Sequence, residues 1–222
     1  MKIKRNLEII KILVNSQKSI LNYLRRVIKT KPFNYKTFGV DTEPYISRIL
    51  IEIFKKNKFI KNENDYKLAP HKNYFPDFEL KIPLFAIEYK TGNTVKISKG
   101  KWVNCKNSNN DMGTFNMWEN KIKKFGGENI YFIFVIYRFD NQRRSIIHVQ
   151  IAPFYKFLGL NKDGLLKYRE KDGNLRPKDF DEKSPINSLK QFNNLFKKTY
   201  VYRSRRIIRK HRKMLKLLGF KK

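Results

Sequence analysis

The sequence is poor in the groups that most often do chemistry at neutral pH. One cysteine, Cys105 in 222 residues, excludes an internal disulfide framework and any cysteine-rich zinc site. Histidine is scarce too. His71, His148 and His211 lie far apart and form no ligand spacing, and none adjoins a nucleophile-elbow pattern. No apolar run approaches the ~20 residues that a spanning helix needs, so no membrane span is expected. The first segment, MKIKRNLEIIKILVNSQK, is charged throughout its apolar part and shows no small-residue cleavage site. The expectation is therefore no signal peptide and a cytoplasmic protein. Glycine and proline are few, 10 and 8, while 41% of the residues are hydrophobic and 14% aromatic. Such a composition excludes a disordered basic tail and supports a packed globule.

Acidic residues are the other shortage: 19 Asp and Glu against 50 Lys and Arg, a formal net charge of +31. That much self-repulsion strains a compact state unless a polyanion sits against it. Nucleic acid is the leading partner. The length fits a single domain over residues 1–222 with a core of its own.

Hydrophobic periodicity gives the element order α, α, β, β, β, α, β, followed by a basic extension. Leu7, Ile10, Val14, Leu21, Leu24 and Ile28 recur at helical spacing, which predicts one amphipathic helix over residues 5–30. Its seam is a candidate dimer element. A second helix is expected over Thr42–Lys56, with Asp41 or Thr42 as cap and Glu43 and Pro44 in its first turn. After the polar turn KNENDYK come strands over Tyr74–Ile82 and Leu84–Lys90, joined through Pro83, with Thr94–Val103 as a third. A loop at Asn104–Asp111 precedes a helix over Thr114–Phe125, stopped by Gly126-Gly127. IYFIFVIYRF, Ile130–Phe139, reads as a strand buried on both faces, and Ile146–Ala152 as a further strand. Asp163-Gly164 and Asp172-Gly173 signal hairpin turns. No acid follows Glu182, and Lys197–Lys222 reads as a basic helix within an extension of residues 183–222.

Chemistry, if the chain performs any, falls to carboxylates and lysines. The stretch FPDFELKIPLFAIEYK sets Asp77 and Glu88 on either side of a proline bend. Counting back from Pro83 brings them to nearly opposed positions on adjacent strands, where paired residues sit ~5 Å apart. Glu88 and Lys90 share one face of their strand. Mg²⁺ takes oxygen ligands, usually one or two carboxylates with water and phosphate, and phosphodiester hydrolysis needs such a cation and an activated water. Other E-x-K triplets, Glu79/Lys81 and Glu119/Lys121, lack this setting. The first has no turn between it and Asp77, and the second falls in a helix with no strand before it. The competing reading makes Asp77 and Glu88 surface acids neutralised by nearby lysines.

Pro76-Asp77 followed by Glu88-x-Lys90 resembles the signature of the PD-(D/E)XK nucleases. The flanking NYFPDFEL and FAIEYKTGN resemble the blunt-cutting branch of the type II restriction endonucleases, although that branch often has Asp where this chain has Glu88. The likeness covers residues 40–140. It implies a restriction-endonuclease-like α/β core, a mixed central sheet flanked by helices, with the basic helical extension behind it. It further implies a Mg²⁺-dependent homodimeric endonuclease that cuts duplex DNA and leaves 5′-phosphate ends. In that reading Asp77 and Glu88 are metal ligands, Tyr89 lends its backbone carbonyl, and Lys90 positions or activates the water. A glutamate from the preceding helix often joins, here Glu43 or Glu52.

Phosphate contacts position such a protein and base-edge contacts specify the site. Arg203, Arg205, Arg206 and Arg209 suit the first task, with Lys210, Arg212 and Lys213 beside them. Asn and Gln pair with adenine, Arg with guanine, so Asn104, Asn107, Asn109 and Asn110, then Asn141, Gln142, Arg143 and Arg144, are candidate readers. His71, Lys72 and Asn73 are candidates for the minor groove. Together they point to an A·T-rich palindromic site, matched by a two-fold dimer. Two alternatives stay open: a structure-specific nuclease of the same fold, such as a junction resolvase or phage recombination nuclease, and a non-enzymatic basic nucleic-acid-binding protein.

Overall fold

Strand β6 (Ile130–Phe139) is the centre of the architecture, and its neighbours follow from its composition. A computed structural model describes residues 2–34, 36–71, 74–105, 110–180 and 182–220. Three helices come first, α1 (Lys2–Asn15), α2 (Gln17–Thr30) and α3 (Phe38–Lys56). Strands β1 (Tyr66–Leu68), β2 (Phe78–Lys81), β3 (Leu84–Asn93), β4 (Val95–Ser98) and β5 (Lys101–Asn104) follow. Helix α4 (Phe115–Phe125) leads to β6 (Ile130–Phe139) and β7 (Arg144–Pro153), and α5 (Leu189–Leu217) closes the order. Apolar throughout, β6 can only lie where both its faces are covered. It pairs in parallel with β3 and antiparallel with β7, inside a mixed sheet ordered β1-β2-β3-β6-β7. Tyr131, Ile133 and Val135 face a core shared with α1, α2 and α3. Phe132, Phe134 and Ile136 face a second core built with Trp118 of α4 and Phe192 of α5.

Several boundaries depart from the periodicity. The first helix is interrupted at Ser16, whose Oγ donates to the Ile12 carbonyl at 2.7 Å, a back-bond of the kind that bends helices. Its buried stripe is rotated from the predicted one: Ile9, Leu13, Ile20, Leu24, Val27 and Ile28 are buried, while Leu7 and Val14 are exposed. That stripe belongs to the protein's own core, while Leu7 and Val14 of the expected seam lie on the surface. The helix also guards the outer strand β7. Gln17 Oε1 accepts the Ile151 N–H, and Arg25 donates to the Ile146 and Ile147 carbonyls, so this sheet edge is blunted against further pairing.

Helix α3 begins one turn sooner than predicted, because Phe38 is anchored against Phe33 and Tyr137, with ring centroids 5.4 and 4.0 Å away. Pro44 therefore falls inside the helix. The last residues of the polar turn KNENDYK include the start of β1, which pairs with β2. The predicted third strand is two, β4 and β5, forming a separate hairpin that does not extend the main sheet. Lys99 and Gly100, with φ of 49° and 74°, make its tight turn, the conformation that matches hairpin twist. Thr114 caps α4 by accepting the Met117 N–H, and Gly126 ends it at φ 73°, as read from the sequence. Ser188 caps α5, which starts earlier than the basic run. Its first half packs inward through Phe192 and Thr199, and from Ile208 to Phe220 every residue is exposed.

Candidate functional site

The pairing of β2 with β3 ends at Phe78 opposite Ile87. One step further lie Asp77 and Glu88. Beyond that point no strand of the described residues lies against the β2 side of β3, and the Asp77 carboxylate takes that place: Oδ2 accepts the Tyr89 N–H at 2.5 Å. In a strand the N–H and C=O of one residue point to the same side. The Tyr89 carbonyl is thus turned toward Asp77 and not toward β6. The Tyr89 ring lies on the opposite face, where its hydroxyl meets Ser47 Oγ of α3 at 3.1 Å.

Alternation along β3 places Ala86, Glu88 and Lys90 on the face toward α4. Lys90 Nζ donates to Glu88 Oε1 at 2.7 Å. Glu88 is only 7% exposed, and its Oε2 is buried with no hydrogen-bond partner among the described residues. A buried carboxylate oxygen without a donor is costly, so this atom is a ready acceptor for a cation. Burial, and then repulsion from Glu88, pushes the Asp77 carboxyl up to about 8 against the pull of the Tyr89 N–H and Lys90. Burial works to lower Lys90, but Glu88, Asp77 and Glu43 outweigh it and hold the ammonium above its ordinary value.

Glu43 is among the charges acting on both Asp77 and Lys90. A cleft of about 760 Å³ runs between α3 and the β1–β2 edge, with Glu43, Arg48, Asp77 and Tyr89 in its wall. Glu52 lines the same cleft further along α3. Among the described residues no three His, Cys, Asp or Glu side chains are grouped as a metal cage. Mg²⁺ does not require one, since it commonly takes one or two carboxylates and completes its shell with water and phosphate. Asp77, Glu88 with its orphaned Oε2, and the Tyr89 carbonyl fit such an ion.

One residue at this centre is absent from the sequence-based candidates. Lys121 of α4 is 8% exposed, with its Nζ 3.7 Å from the Phe75 ring centroid and 4.9 Å from that of Trp118. Burial lowers its pKa to about 8, and Glu88, Lys90 and Asp77 are the charges acting on it. The Glu119/Lys121 triplet has no strand to carry it, so the strand-based pattern passes over this lysine. The readable signal is helical: Lys121 falls in the apolar stripe of Phe115, Trp118 and Phe125.

The chain matches no family model and no curated protein. Among solved structures it is similar to the NlaIV restriction endonuclease, with a TM-score of 0.53, 14% identity, and coverage of 78% of this chain and 67% of that one. The fold is restriction-endonuclease-like. The mixed sheet and flanking helices agree with the class expected from the sequence, and the neighbour does not separate one branch of those enzymes from another.

The candidate DNA contacts are scattered over that fold. Asn141, Gln142, Arg143 and Arg144 form the exposed turn between β6 and β7, where Asp140 Oδ1 accepts the Gln142 and Arg143 N–H groups. Asn104 ends β5 opposite Val95, in a hairpin leaving the same end of the sheet. Asn110 is turned inward and donates to the Thr91 carbonyl, so it braces β3 and does not present its amide to a ligand. His71 is exposed and packs edge-on against Tyr74 at 5.8 Å. Lys72, Asn73, Asn107 and Asn109 lie outside the described residues. On α5, Arg205 and Arg209 are exposed. Arg206 is bound to Glu170 at 2.6 Å, and Arg203 is half-buried against Gly173, its Nε without a hydrogen-bond partner among the described residues. Among the described residues no helix is long and apolar enough to cross a membrane.

Proposed function

We propose that this chain is a Mg²⁺-dependent endonuclease that hydrolyses phosphodiester bonds of double-stranded DNA at a specific palindromic site and leaves 5′-phosphate ends. The observation that carries this reading is the Glu88 carboxylate, buried, held on one oxygen by Lys90 and orphaned on the other, beside Asp77 at an open strand edge. Structural acids neutralised by lysines would be satisfied on both oxygens or exposed to water. Similarity in fold to a restriction endonuclease supports the same class.

In this reading Asp77, Glu88 and the Tyr89 carbonyl hold the cation, and Glu43 adds charge from α3. Mg²⁺ would supply positive charge to the scissile phosphate and raise the acidity of a coordinated water. Lys90, fixed by Glu88 Oε1 at 2.7 Å, orients the attacking water. The exposed β6–β7 turn and Asn104 at the same end of the sheet are the base readers, and Arg205 and Arg209 contact phosphate. A palindrome would be read by a homodimer.

The test is incubation of the protein with phage DNA in Mg²⁺ or in EDTA, followed by electrophoresis and sequencing of the ends. Discrete bands in Mg²⁺ alone are expected. Cutting confined to branched substrates would instead favour a structure-specific nuclease. DNA binding with no cleavage in any divalent ion would leave only a basic binding protein.

A further inference from the structure

The lysines around the β3 centre are not alike in their partners. Lys90 is paired with Glu88, Lys123 with Glu119 and Lys124 with Glu79, all within 2.9 Å. Lys121, the most enclosed of the α4 lysines, has no carboxylate in ion-pair range among the described residues. The faces of Phe75 and Trp118 are its neighbours instead. Cation–π contact recovers ~2 kcal/mol at a desolvated site, less than the several kcal/mol that enclosing an ammonium costs. Stability alone therefore does not explain a lysine in this apolar stripe.

The surroundings hold Lys121 in one place. Trp118 is fixed by donating its Nε1 proton to the Met112 carbonyl at 2.9 Å. Phe75 is wedged edge-on against Phe125 at 5.8 Å and lies two residues before Asp77. A side chain at position 113 would bring its Cβ within 3.3 Å of Lys121 Nζ, and the residue there is Gly113 at φ +99°. The ammonium thus lies against a glycine and on the ring of Phe75, two residues before Asp77, and Glu88, Lys90 and Asp77 are the charges that act on it.

We infer that Lys121 is a second cationic catalytic residue of this centre, binding a non-bridging oxygen of the scissile phosphate from α4 while Lys90 serves the water from β3. The inference rests on the nuclease reading above. It assigns to Lys121 the charge that builds on phosphate in the transition state, where a preorganised cation in a water-poor site is most effective.

The test compares full-length wild type, Lys121→Met, Lys121→Arg and Asp77→Ala on the same duplex DNA. Three quantities are read: single-turnover cleavage in Mg²⁺, DNA affinity in Ca²⁺, and melting temperature in EDTA. Lys121→Met should cut on the order of 100-fold more slowly with affinity little changed. It should melt no lower than wild type, since Met fills similar volume without a desolvated charge. Lys121→Arg should recover part of the rate. Cleavage by Lys121→Met at the wild-type rate overturns the inference, and so does a melting point well below wild type, which would make Lys121 a framework residue. Those results leave the nuclease reading standing. A wild type that cuts no better than Asp77→Ala overturns both.

Discussion

The protein carries positive charge in two contrasting ways. Lys90 and Lys121 are enclosed beside β3, one gripped by Glu88 and the other laid over aromatic rings. The outer half of α5 carries Arg205, Arg209, Lys210, Arg212 and Lys213 exposed, and no acid follows Glu182 in the sequence. Enclosed charge is energetically costly, unscreened by salt and held in a fixed geometry. Exposed charge stays solvated, mobile and screened. The first kind suits chemistry on one phosphate, and the second suits adhesion to many.

The sharpest way to break this contrast is at Asp77. Asp77→Ala removes the side chain that holds the Tyr89 N–H and faces Glu88, and cleavage should fall by ~10³-fold or more. Affinity for DNA in Ca²⁺ should stay near wild type if the proposed phosphate contacts of α5 hold the duplex. Equal losses in both measurements would show that one region does both jobs.

A second prediction strikes α5. Replacing Arg205, Arg209, Lys210 and Arg212 together with Gln should lower the slope of log affinity against log salt by ~0.9 for each phosphate the variant no longer neutralises. The single-turnover rate on saturated DNA should be unchanged. A slope that stays at the wild-type value would place the adhesive surface elsewhere, with the β6–β7 turn the next candidate.

The enclosed region also predicts a pH signature. Asp77 is raised from 3.8 to about 8 in the folded protein, so between those values the native state binds the extra proton. Stability in EDTA should therefore fall as pH rises through that window. Lys121 is lowered from 10.5 to about 8, so above pH 8 the unfolded state binds more protons and this residue contributes stability that rises with pH. Relief of the general self-repulsion adds to both variants equally. The difference in melting temperature between wild type and Asp77→Asn isolates the first effect, and that between wild type and Lys121→Met the second. Parallel curves across pH 4–8 for the Asp77 pair would contradict the burial of that carboxyl.

The two regions are not equally legible in the sequence. The Pro83 bend pins the register of β2 against β3, and a register once pinned sets every facing pair. The neighbourhood of Asp77, Glu88 and Lys90 can thus be counted from a proline. Lys121 obeys a different period, on a helix that folds back over the sheet, and a search for strand-borne triplets passes over it. The stripe of α1 and α2 is rotated from its expected position because LEIIKILV offers apolar residues on several faces, and packing into the shared core selects Ile9 and Leu13 over Leu7 and Val14. Strand β1 has three residues, too few for alternation to register. The hairpin of β4 and β5 is hidden by its turn, where Lys99 takes a positive φ that its residue type does not advertise. On α5 the charge is plain, but the fate of each arginine is not, since Glu170 and Gly173 come from a distant turn.

The arginines of α5 give the smallest predicted effect, which tests whether exposure or mere position on the helix decides a role. Arg206 and Arg209 are three residues apart, yet Arg206 Nη1 already meets Glu170 Oε1 at 2.6 Å and its guanidinium lies 5.7 Å from the Tyr202 ring. A phosphate would have to displace that carboxylate before using it. Arg209 is exposed and needs no such exchange. Arg209→Gln should lower the salt slope of DNA binding by ~0.9, and Arg206→Gln by clearly less, with Glu170→Gln raising affinity by freeing the guanidinium. Equal slopes for the two arginine variants would mean that DNA breaks the Glu170 pair on binding, and the boundary between framework and adhesive charge on α5 would move one turn toward the body of the protein.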